Sequence, residues 1–319
     1  MKYQHYDVAI VGGGAAGLSA ALVLARARRR VVVLDAGRPR NTPAAHMHNF
    51  LSRDGMPPAE LLAAGRAEVL SYGGEMVPAT VTELKATPSG FGVNLNDGSS
   101  VAARRLLIAT GLTDELPEVR GLRERWGRDV LHCPYCHGYE VRDQPLGVLA
   151  SGPRSVHQAL LVRQLSPDVV FFRHSLAAFT NDDRERLAAR DVRVVEGTVA
   201  RVVVKGDRLT GVQLVDGSVV ARSAVFVAPR FVANHAVLAA LGAETERTAL
   251  GTWVTTDPTG RTSIPGVWAV GNVADPAAFV IEAAAAGSRA AAALNADLVD
   301  EDVARTLADR GRVSAGAAP

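Results

Sequence analysis

The sequence predicts an α/β protein with two Rossmann-like domains, each built of three layers and each carrying a small antiparallel β-meander. Three observations support this: short apolar runs suited to buried strands, glycine-rich turns directly after such runs, and an order of elements that recurs in mid-chain. A length of 319 residues is sufficient for two domains. With 48% apolar and 21% charged residues, the composition excludes a disordered chain, a collagen-like chain or a small disulfide scaffold.

The charge balance gives no reason to expect nucleic acid or an anionic membrane as a partner. The chain has 35 Lys and Arg against 33 Asp and Glu, a formal net charge of +2. The most apolar late segment, 277–298, carries three charged residues and is interpreted as an Ala-rich packed helix, not a membrane span. The N-terminus shows no signal-peptide pattern, which predicts a cytoplasmic protein.

The first 35 residues predict a βαβ unit, with buried strands over 7–11 and 30–35 and a helix over 18–28. The turn after the first strand has the G-x-G-x-x-G spacing, and the second strand ends in an acid. The first glycine permits a tight turn, the second lets backbone N–H groups approach a pyrophosphate, and the third allows close helix packing, while the acid accepts from a ribose hydroxyl. These residues are Gly12, Gly14, Gly17 and Asp35.

The same order recurs further along the chain. Asp-Gly turns predict antiparallel hairpins at 93–103 and 212–220, each leading into an apolar strand, at 106–111 and 224–228. Another strand and turn is predicted at 147–152. Two mononucleotide-type modules are therefore the simplest interpretation. A late strand over 267–271 that feeds a helix from Ala277 again offers backbone donors to a phosphate or a polyol.

The only cysteines, Cys133 and Cys136, lie three residues apart in a His-Cys-Pro-Tyr-Cys-His segment. Two intervening residues suit a redox-active disulfide, and Pro134 stiffens the ring. His137 has a pKa near neutrality in general and is our main candidate for a general acid/base, with His132 as a second candidate. Zinc binding by the two Cys and two His residues, a structural disulfide and inert buried thiols are the alternatives.

These motifs together resemble the low-molecular-weight thioredoxin reductases over nearly the whole chain. The resemblance rests on the N-terminal glycine motif, an Ala-Thr-Gly turn, the CxxC segment and a late Pro-Gly-Val-Trp-Ala-Val-Gly segment. It implies that the CxxC pair exchanges electrons with a bound FAD, with Cys136 towards the flavin and Cys133 towards the substrate. It also implies the FAD-binding residues, which are Gly12, Gly14, Ala15, Ala16, Gly17, Asp35, Ala109, Thr110, Gly111, Gly271 and Asn272.

The resemblance implies a discontinuous FAD-binding domain, 1–117 plus 245–319. The inserted NAD(P)-like domain would span 118–244 and carry the CxxC pair. A homodimer is also expected from the resemblance.

The sequence departs from the reductase pattern in four places. The second glycine fingerprint is replaced by 150–155, in which Pro153 lacks an N–H. The arginine pair that would bind a 2′-phosphate is reduced to Arg-His-Ser at 173–175. His137 follows the second cysteine where the reductases carry a catalytic Asp, and Asn272 stands where an Asp usually binds the ribityl chain.

With these departures, Cys-Pro-Tyr-Cys-His-Gly-Tyr-Glu resembles the reductase-like dithiol oxidases of natural-product pathways, of the holomycin and gliotoxin type. That resemblance implies an FAD enzyme which oxidises a small-molecule dithiol, uses O₂ to reoxidise the flavin and needs no NADPH. The alternatives are a disulfide reductase acting on a thioredoxin-like protein, with NADPH bound weakly or another donor used, and a flavin redox sensor without turnover. No metal site is expected.

Two further histidines, His46 and His48, fall in a predicted loop over 41–54. We interpret them as a solvated or hydrogen-bonded pair in a loop that could border the flavin. The segment after Asp302 is expected to fray.

Overall fold

The computed structural model describes residues 5–316, with side chains described for 5–310. The chain divides into two compact units. The first comprises residues up to 39, 59–113 and from 232 onward, and the second comprises 40–58 and 114–231. Residues 40–58 therefore belong to the second unit, whereas the division drawn from the sequence assigned all of 1–117 to the first.

The elements follow in an alternating α/β order. The strands are β1 (His5–Val11), β2 (Val31–Asp35), β3 (Glu75–Pro78), β4 (Val81–Thr87), β5 (Gly90–Leu95), β6 (Ser100–Ile108), β7 (Leu112–Glu115), β8 (Val130–Leu131), β9 (Leu146–Leu149), β10 (Val169–Phe172), β11 (Arg193–Val195), β12 (Val199–Lys205), β13 (Arg208–Leu214), β14 (Val219–Ala221), β15 (Ala224–Val227), β16 (Arg230–Ala233), β17 (Thr245–Thr248), β18 (Gly251–Val254) and β19 (Val267–Ala269). The helices are α1 (Ala15–Arg26), α2 (Pro58–Ser71), α3 (Leu122–Arg125), α4 (Pro134–His137), α5 (Ser155–Val162), α6 (Asn181–Ala188), α7 (Ala236–Ala239) and α8 (Val280–Gly316).

The first unit has three layers around one sheet. β3, β2, β1 and β6 run parallel in that order, β19 also pairs parallel with β6, and β5 and β4 continue antiparallel as the meander. β6 is one long strand, where the sequence suggested two segments. One face of the sheet packs on α1 and α8, and the other packs on meander residues such as Phe91 and Val93.

The second unit repeats this plan. β11, β10, β9, β15 and β8 form a parallel sheet, and β12 to β14 form an antiparallel meander. Val156 and Ala159 of α5 cover one face, and Val202 and Val212 of the meander cover the other. β7 and β16 pair as a two-stranded sheet where the chain passes between the units. The predicted class, two Rossmann-like domains, is confirmed.

The helices of the first unit differ from the sequence expectation at their ends. α1 begins at Ala15, three residues earlier than predicted, because the glycine turn leads directly into it. The expectation of fraying after Asp302 is wrong for 303–316, since α8 continues to Gly316, and 317–319 lie outside the described residues. Arg29 pairs with Asp302 at 2.7 Å and Arg105 with Glu301 at 2.9 Å, and these ion pairs fasten that part of the helix to the unit. Within residues 5–316, no helix combines the length and apolar character needed to cross a bilayer.

The close approach of α1 and α8 depends on Gly287. A Cβ there would overlap the backbone carbonyl of Ala16, which cannot move aside as a flexible side chain would. We expect Gly287→Ala to lower the free energy of unfolding by about 1–3 kcal/mol. Denaturant unfolding measures this loss, and Ser288→Ala, at the next and exposed position, is the matched control. Equal stability of the two variants would contradict the assigned contact.

Candidate active site

The cysteine pair lies at the start of a short helix in the second unit. Cys133 is the N-cap of α4, and Pro134 occupies the first helical position, where its missing N–H costs nothing. Cys133 and Cys136 form a disulfide, with their Cα atoms 5.2 Å apart. The backbone N–H of Cys136 donates to Cys133 Sγ at 3.2 Å. One helical turn thus holds both sulfurs together and provides a hydrogen-bond donor to the first.

Gly138, directly after the motif, lets this turn pack closely. A Cβ there would overlap the carbonyl of Pro134 and the side chain of Leu165. Our sequence reasoning did not assign this role, although a glycine following Cys-Pro-Tyr-Cys-His was a usable signal.

The disulfide is accessible to an external thiol. Both cysteines are only half-buried, and the neighbouring Tyr135 and Tyr139 are 63% and 66% exposed. Thiol–disulfide exchange requires that an attacking sulfur reach the bond. The local structure meets this condition.

His137 is in an environment that keeps its ring neutral at pH 7. Burial lowers its pKa, the charge of Glu140 raises it, and His48 lowers it. A neutral imidazole can accept a proton from a thiol.

His132 has a different environment. Its ring packs edge-on against Phe231 at 5.3 Å, and its Nδ1 lies 3.3 Å from the carbonyl oxygen of Val227. Burial, with the charges of Arg40 and Arg154, lowers the pKa of His132 to about 4, against a smaller opposing effect of Asp114. With its pKa lowered to about 4, His132 is a weak proton acceptor near neutral pH, and its Nδ1 already contacts the Val227 carbonyl, so it is the poorer candidate for proton transfer.

The loop over 40–58 contacts the CxxC segment within the second unit. Asn49 Nδ2 donates to the carbonyl oxygen of Tyr135 at 2.8 Å, and His48 Nε2 lies 3.3 Å from Glu140 Oε1. His46 instead contacts the backbone carbonyl of Gly55, at 3.0 Å, within its own loop. The two histidines thus have different surroundings. No local pattern in the sequence indicates this contact, which joins positions 86 residues apart.

The first glycine loop is shaped by close backbone approaches in the first unit. Gly12 has φ +106°, and a Cβ there would overlap the carbonyl of Ala109, while a Cβ on Gly17 would overlap the carbonyl of Gly12. Gly13, which our sequence analysis did not single out, leaves room for Asp35, whose Oδ2 would lie 2.7 Å from an added Cβ. A Cβ on Gly14 meets nothing within 4 Å.

This loop fits the diphosphate of a dinucleotide. Gly14 is the N-cap of α1 and provides no side-chain cap, so side chains do not occupy the N–H groups that begin at Ala15 and Ala16. Asp35 lies at the end of β2, where an acid can bind a ribose.

The other predicted cofactor residues also lie in the first unit. Thr110 Oγ1 donates to the carbonyl oxygen of Asn234 at 2.7 Å, and the amide of Asn234 donates back to the Thr110 carbonyl at 3.0 Å, which fixes the Ala109–Gly111 turn. Gly271 has φ +71° at the start of a short 3₁₀ helix. Asn272 Nδ2 donates to the carbonyls of Asp275 and Ala278, so this amide holds the segment that leads into α8.

In the corresponding loop of the second unit, a serine side chain accepts hydrogen bonds from backbone N–H groups. The fully buried Ser155 accepts at Oγ from the N–H groups of Ser151, at 3.0 Å, and Gly152, at 3.2 Å. Pro153 contributes no N–H. The N–H groups of Ser151 and Gly152 are therefore occupied, whereas the first turn of α5, like that of α1, has no side-chain cap.

The residues after β10 also form ion pairs and hydrogen bonds within the second unit. Arg173 pairs with Glu196 at 3.1 Å, and Glu196 also pairs with Arg184 at 2.8 Å. His174 Nδ1 accepts from the backbone N–H of Val199 at 3.0 Å, and burial lowers the pKa of this histidine. An acid stands here among the basic groups, and it would repel a phosphate.

No group of three or more His, Cys, Asp or Glu side chains in the part of the chain that the structure describes is arranged to hold a metal ion. The two sulfurs that a zinc site would need are joined to each other.

Two Rossmann-like units and a CxxC disulfide define an oxidoreductase that acts on sulfur groups. The chain belongs to the pyridine nucleotide-disulphide oxidoreductase family, whose sequence pattern it matches over residues 6–291. Enzymes of this family are typically flavin-dependent.

Individual relatives confirm the resemblance to thioredoxin reductases and related natural-product enzymes. The chain is 31% identical to the thioredoxin reductase sirT of Leptosphaeria maculans, over 94% of this chain and 96% of the relative. It is similar to the crystal structure of HlmI, with 56% identity, a TM-score of 0.93 and coverage of 97% and 98% of the two chains. An oxidoreductase from Agrobacterium tumefaciens has 38% identity and a TM-score of 0.87, with coverage of 93% and 99%.

The depressed pKa of His132 predicts a specific loss of stability in acid. In the unfolded chain this histidine binds a proton near pH 6.5, but in the folded chain only near pH 4, so stability falls as the pH is lowered through that window. The expected cost at His132 between pH 7.5 and pH 5 is about 2 kcal/mol. Denaturant unfolding at both pH values should show a smaller acid loss for His132→Gln than for the wild type. His157→Gln, at an exposed position, is the control and should lose as much as the wild type.

Proposed function

We propose that this protein is an FAD-dependent dithiol oxidase that forms a disulfide in a small-molecule dithiol, without NADPH. The observation that carries the proposal is the hydroxyl of Ser155, which occupies the N–H groups of Ser151 and Gly152. The pairing of Arg173 with Glu196 supports it, because a 2′-phosphate would have to compete with that carboxylate. The similarity of the CPYCHGYE segment to natural-product dithiol oxidases agrees with both.

The first unit would hold the FAD. Gly12 to Gly17 and the start of α1 would bind the diphosphate, and Asp35 would bind the ribose. When bound, FAD would accept two electrons from the reduced Cys133–Cys136 pair, which restores the disulfide, and would pass them to O₂. The chain's own residues would then have to bind substrate, exchange disulfides and move protons.

Disulfide exchange at the cysteine pair conserves sulfur, electrons and protons. A substrate thiolate attacks one sulfur of the Cys133–Cys136 bond, forms a mixed disulfide and releases the other cysteine as a thiolate. The second substrate thiolate then attacks the mixed disulfide, so the product leaves oxidised and the cysteines remain reduced. His137 takes up the substrate proton in its neutral form. The complete reaction converts one dithiol and one O₂ into one disulfide and one H₂O₂.

Cofactor binding can be tested at Gly14, because a Cβ there meets nothing in the protein. We expect Gly14→Ala to weaken FAD binding about 10-fold or more, that is by at least about 1.4 kcal/mol, while the unfolding of the apoprotein changes little. FAD titration and thermal unfolding measure the two effects. Gly152→Ala, equally open but in the second unit, is the matched control and should bind FAD as the wild type does. Unchanged binding by Gly14→Ala would contradict the site.

The direction of electron flow can be tested by anaerobic mixing of the purified flavoprotein with NADPH and, separately, with a dithiol. The proposal expects rapid bleaching of the flavin by the dithiol, little bleaching by micromolar NADPH, and one H₂O₂ per disulfide once air is admitted. Replacing both Cys133 and Cys136 by Ser should abolish bleaching by the dithiol. Rapid bleaching by NADPH would overturn the proposal in favour of a reductase, and bleaching without multiple turnover would indicate a redox sensor.

A further inference from the structure

His48 lies between two carboxylates beside the cysteine segment. Its Nε2 is 3.3 Å from Glu140 Oε1, its Nδ1 is 3.3 Å from Asp54 Oδ2, and its side chain is only 19% exposed. Glu140 comes three residues after His137 and acts electrostatically on that ring. Asp54, His48 and Glu140 thus form a row of groups that reaches the segment carrying His137.

The loop that carries His48 is fixed by several hydrogen bonds. Asn49 adopts φ +65°, a conformation that asparagine tolerates better than most residues. Its backbone N–H donates to Asp54 Oδ1 at 3.0 Å, and its side-chain amide donates to the Tyr135 carbonyl at 2.8 Å. The second bond attaches the loop to Tyr135, one of the two residues between the cysteines. These contacts therefore place His48 beside the cysteine turn.

We propose that His48 is a positioning residue for proton transfer at the cysteine pair: through Glu140 it controls how readily His137 accepts the proton of the substrate thiol. This role rests on the proposed function only for the identity of the substrate, because oxidases and reductases share the exchange step. The loop that carries His48 is contributed by residues 40–58 and not by the CxxC segment.

The proton balance of the exchange step shows what His48 would influence. The substrate thiol R–SH transfers its proton to neutral His137, and the resulting thiolate attacks the Cys133–Cys136 bond. A new S–S bond forms to one cysteine, and the other cysteine leaves as a thiolate with the electron pair of the broken bond. The positive charge now on His137 is stabilised by Glu140. His48 contacts the same carboxylate and competes with His137 for it.

The structure identifies the groups that act on His137 and on His48. Glu140 and His48 act on His137 with opposite sign, the first raising its pKa and the second lowering it, while burial accounts for most of the depression. His48 contacts Glu140 and Asp54. Removing the carboxylate should therefore lower the pKa of His137, and removing the neighbouring imidazole should raise it.

The test compares Glu140→Gln, His48→Asn and the control His46→Asn, which removes an imidazole of the same loop that contacts only the backbone. The holoenzyme is reduced anaerobically with dithiothreitol across the pH range, and the acid limb of the exchange rate is located. In parallel, NMR titration of the histidine rings of the oxidised protein reports the pKa of His137, identified by its loss in His137→Gln. This second readout needs no turnover.

We expect the acid limb and the His137 titration to move to lower pH in Glu140→Gln and to higher pH in His48→Asn, each by at least about 0.3 pH unit, with no shift in His46→Asn. If His48→Asn does not fold, His48→Gln, which also removes the imidazole, should give the same shift to higher pH. Shifts in the same direction, or slower exchange without any shift, would overturn the proposal. Bleaching by NADPH would contradict the oxidase assignment but would not change these pH shifts. Failure of the proposed function and failure of the His48 proposal are therefore distinguishable.

Discussion

A backbone N–H can donate only one strong hydrogen bond. The two glycine-type loops of the molecule differ in whether a side chain already accepts the hydrogen bonds of their N–H groups. In the first unit, Gly14 caps α1 without a side chain, so the loop keeps its donors for a ligand. In the second unit, Ser155 has taken the donors of Ser151 and Gly152, and Pro153 has none to give. The two loops therefore differ in that Ser155 occupies two backbone donors of the second, although the helix that follows each loop starts without a side-chain cap.

The cysteine site combines a local turn with a distant loop. Cys133, Pro134 and Cys136 form the turn from four consecutive residues, since an N-cap followed by proline starts a helix without outside help. Its surroundings are not local. Asn49, in a loop far earlier in the chain, donates a hydrogen bond to the Tyr135 carbonyl in the turn. His48 of the same loop contacts Glu140. The turn supplies the sulfurs, whereas the loop supplies charge around them.

The fold class and the family resemblance could be predicted because both rest on short-range patterns: apolar runs, Asp-Gly turns and fixed glycine spacings. The predicted start of α1 at residue 18 was wrong because the small residues from Ala15 onward carry no signal of a helix boundary. The place of 40–58 could not be predicted, since hydrogen bonds such as that of Asn49 to Tyr135 leave no periodicity in the sequence. The role of Gly13 was missed for a similar reason, because it depends on where the Asp35 carboxylate lies.

The discontinuity of the first unit has a consequence for the order in which the nascent chain can become structured. β6 pairs with β19, and α1 packs on α8, so this core needs residues near both ends of the chain. The parallel sheet and meander of the second unit lie wholly within 130–227. During synthesis that unit can complete its sheet before β19 and α8 of the first unit have been made.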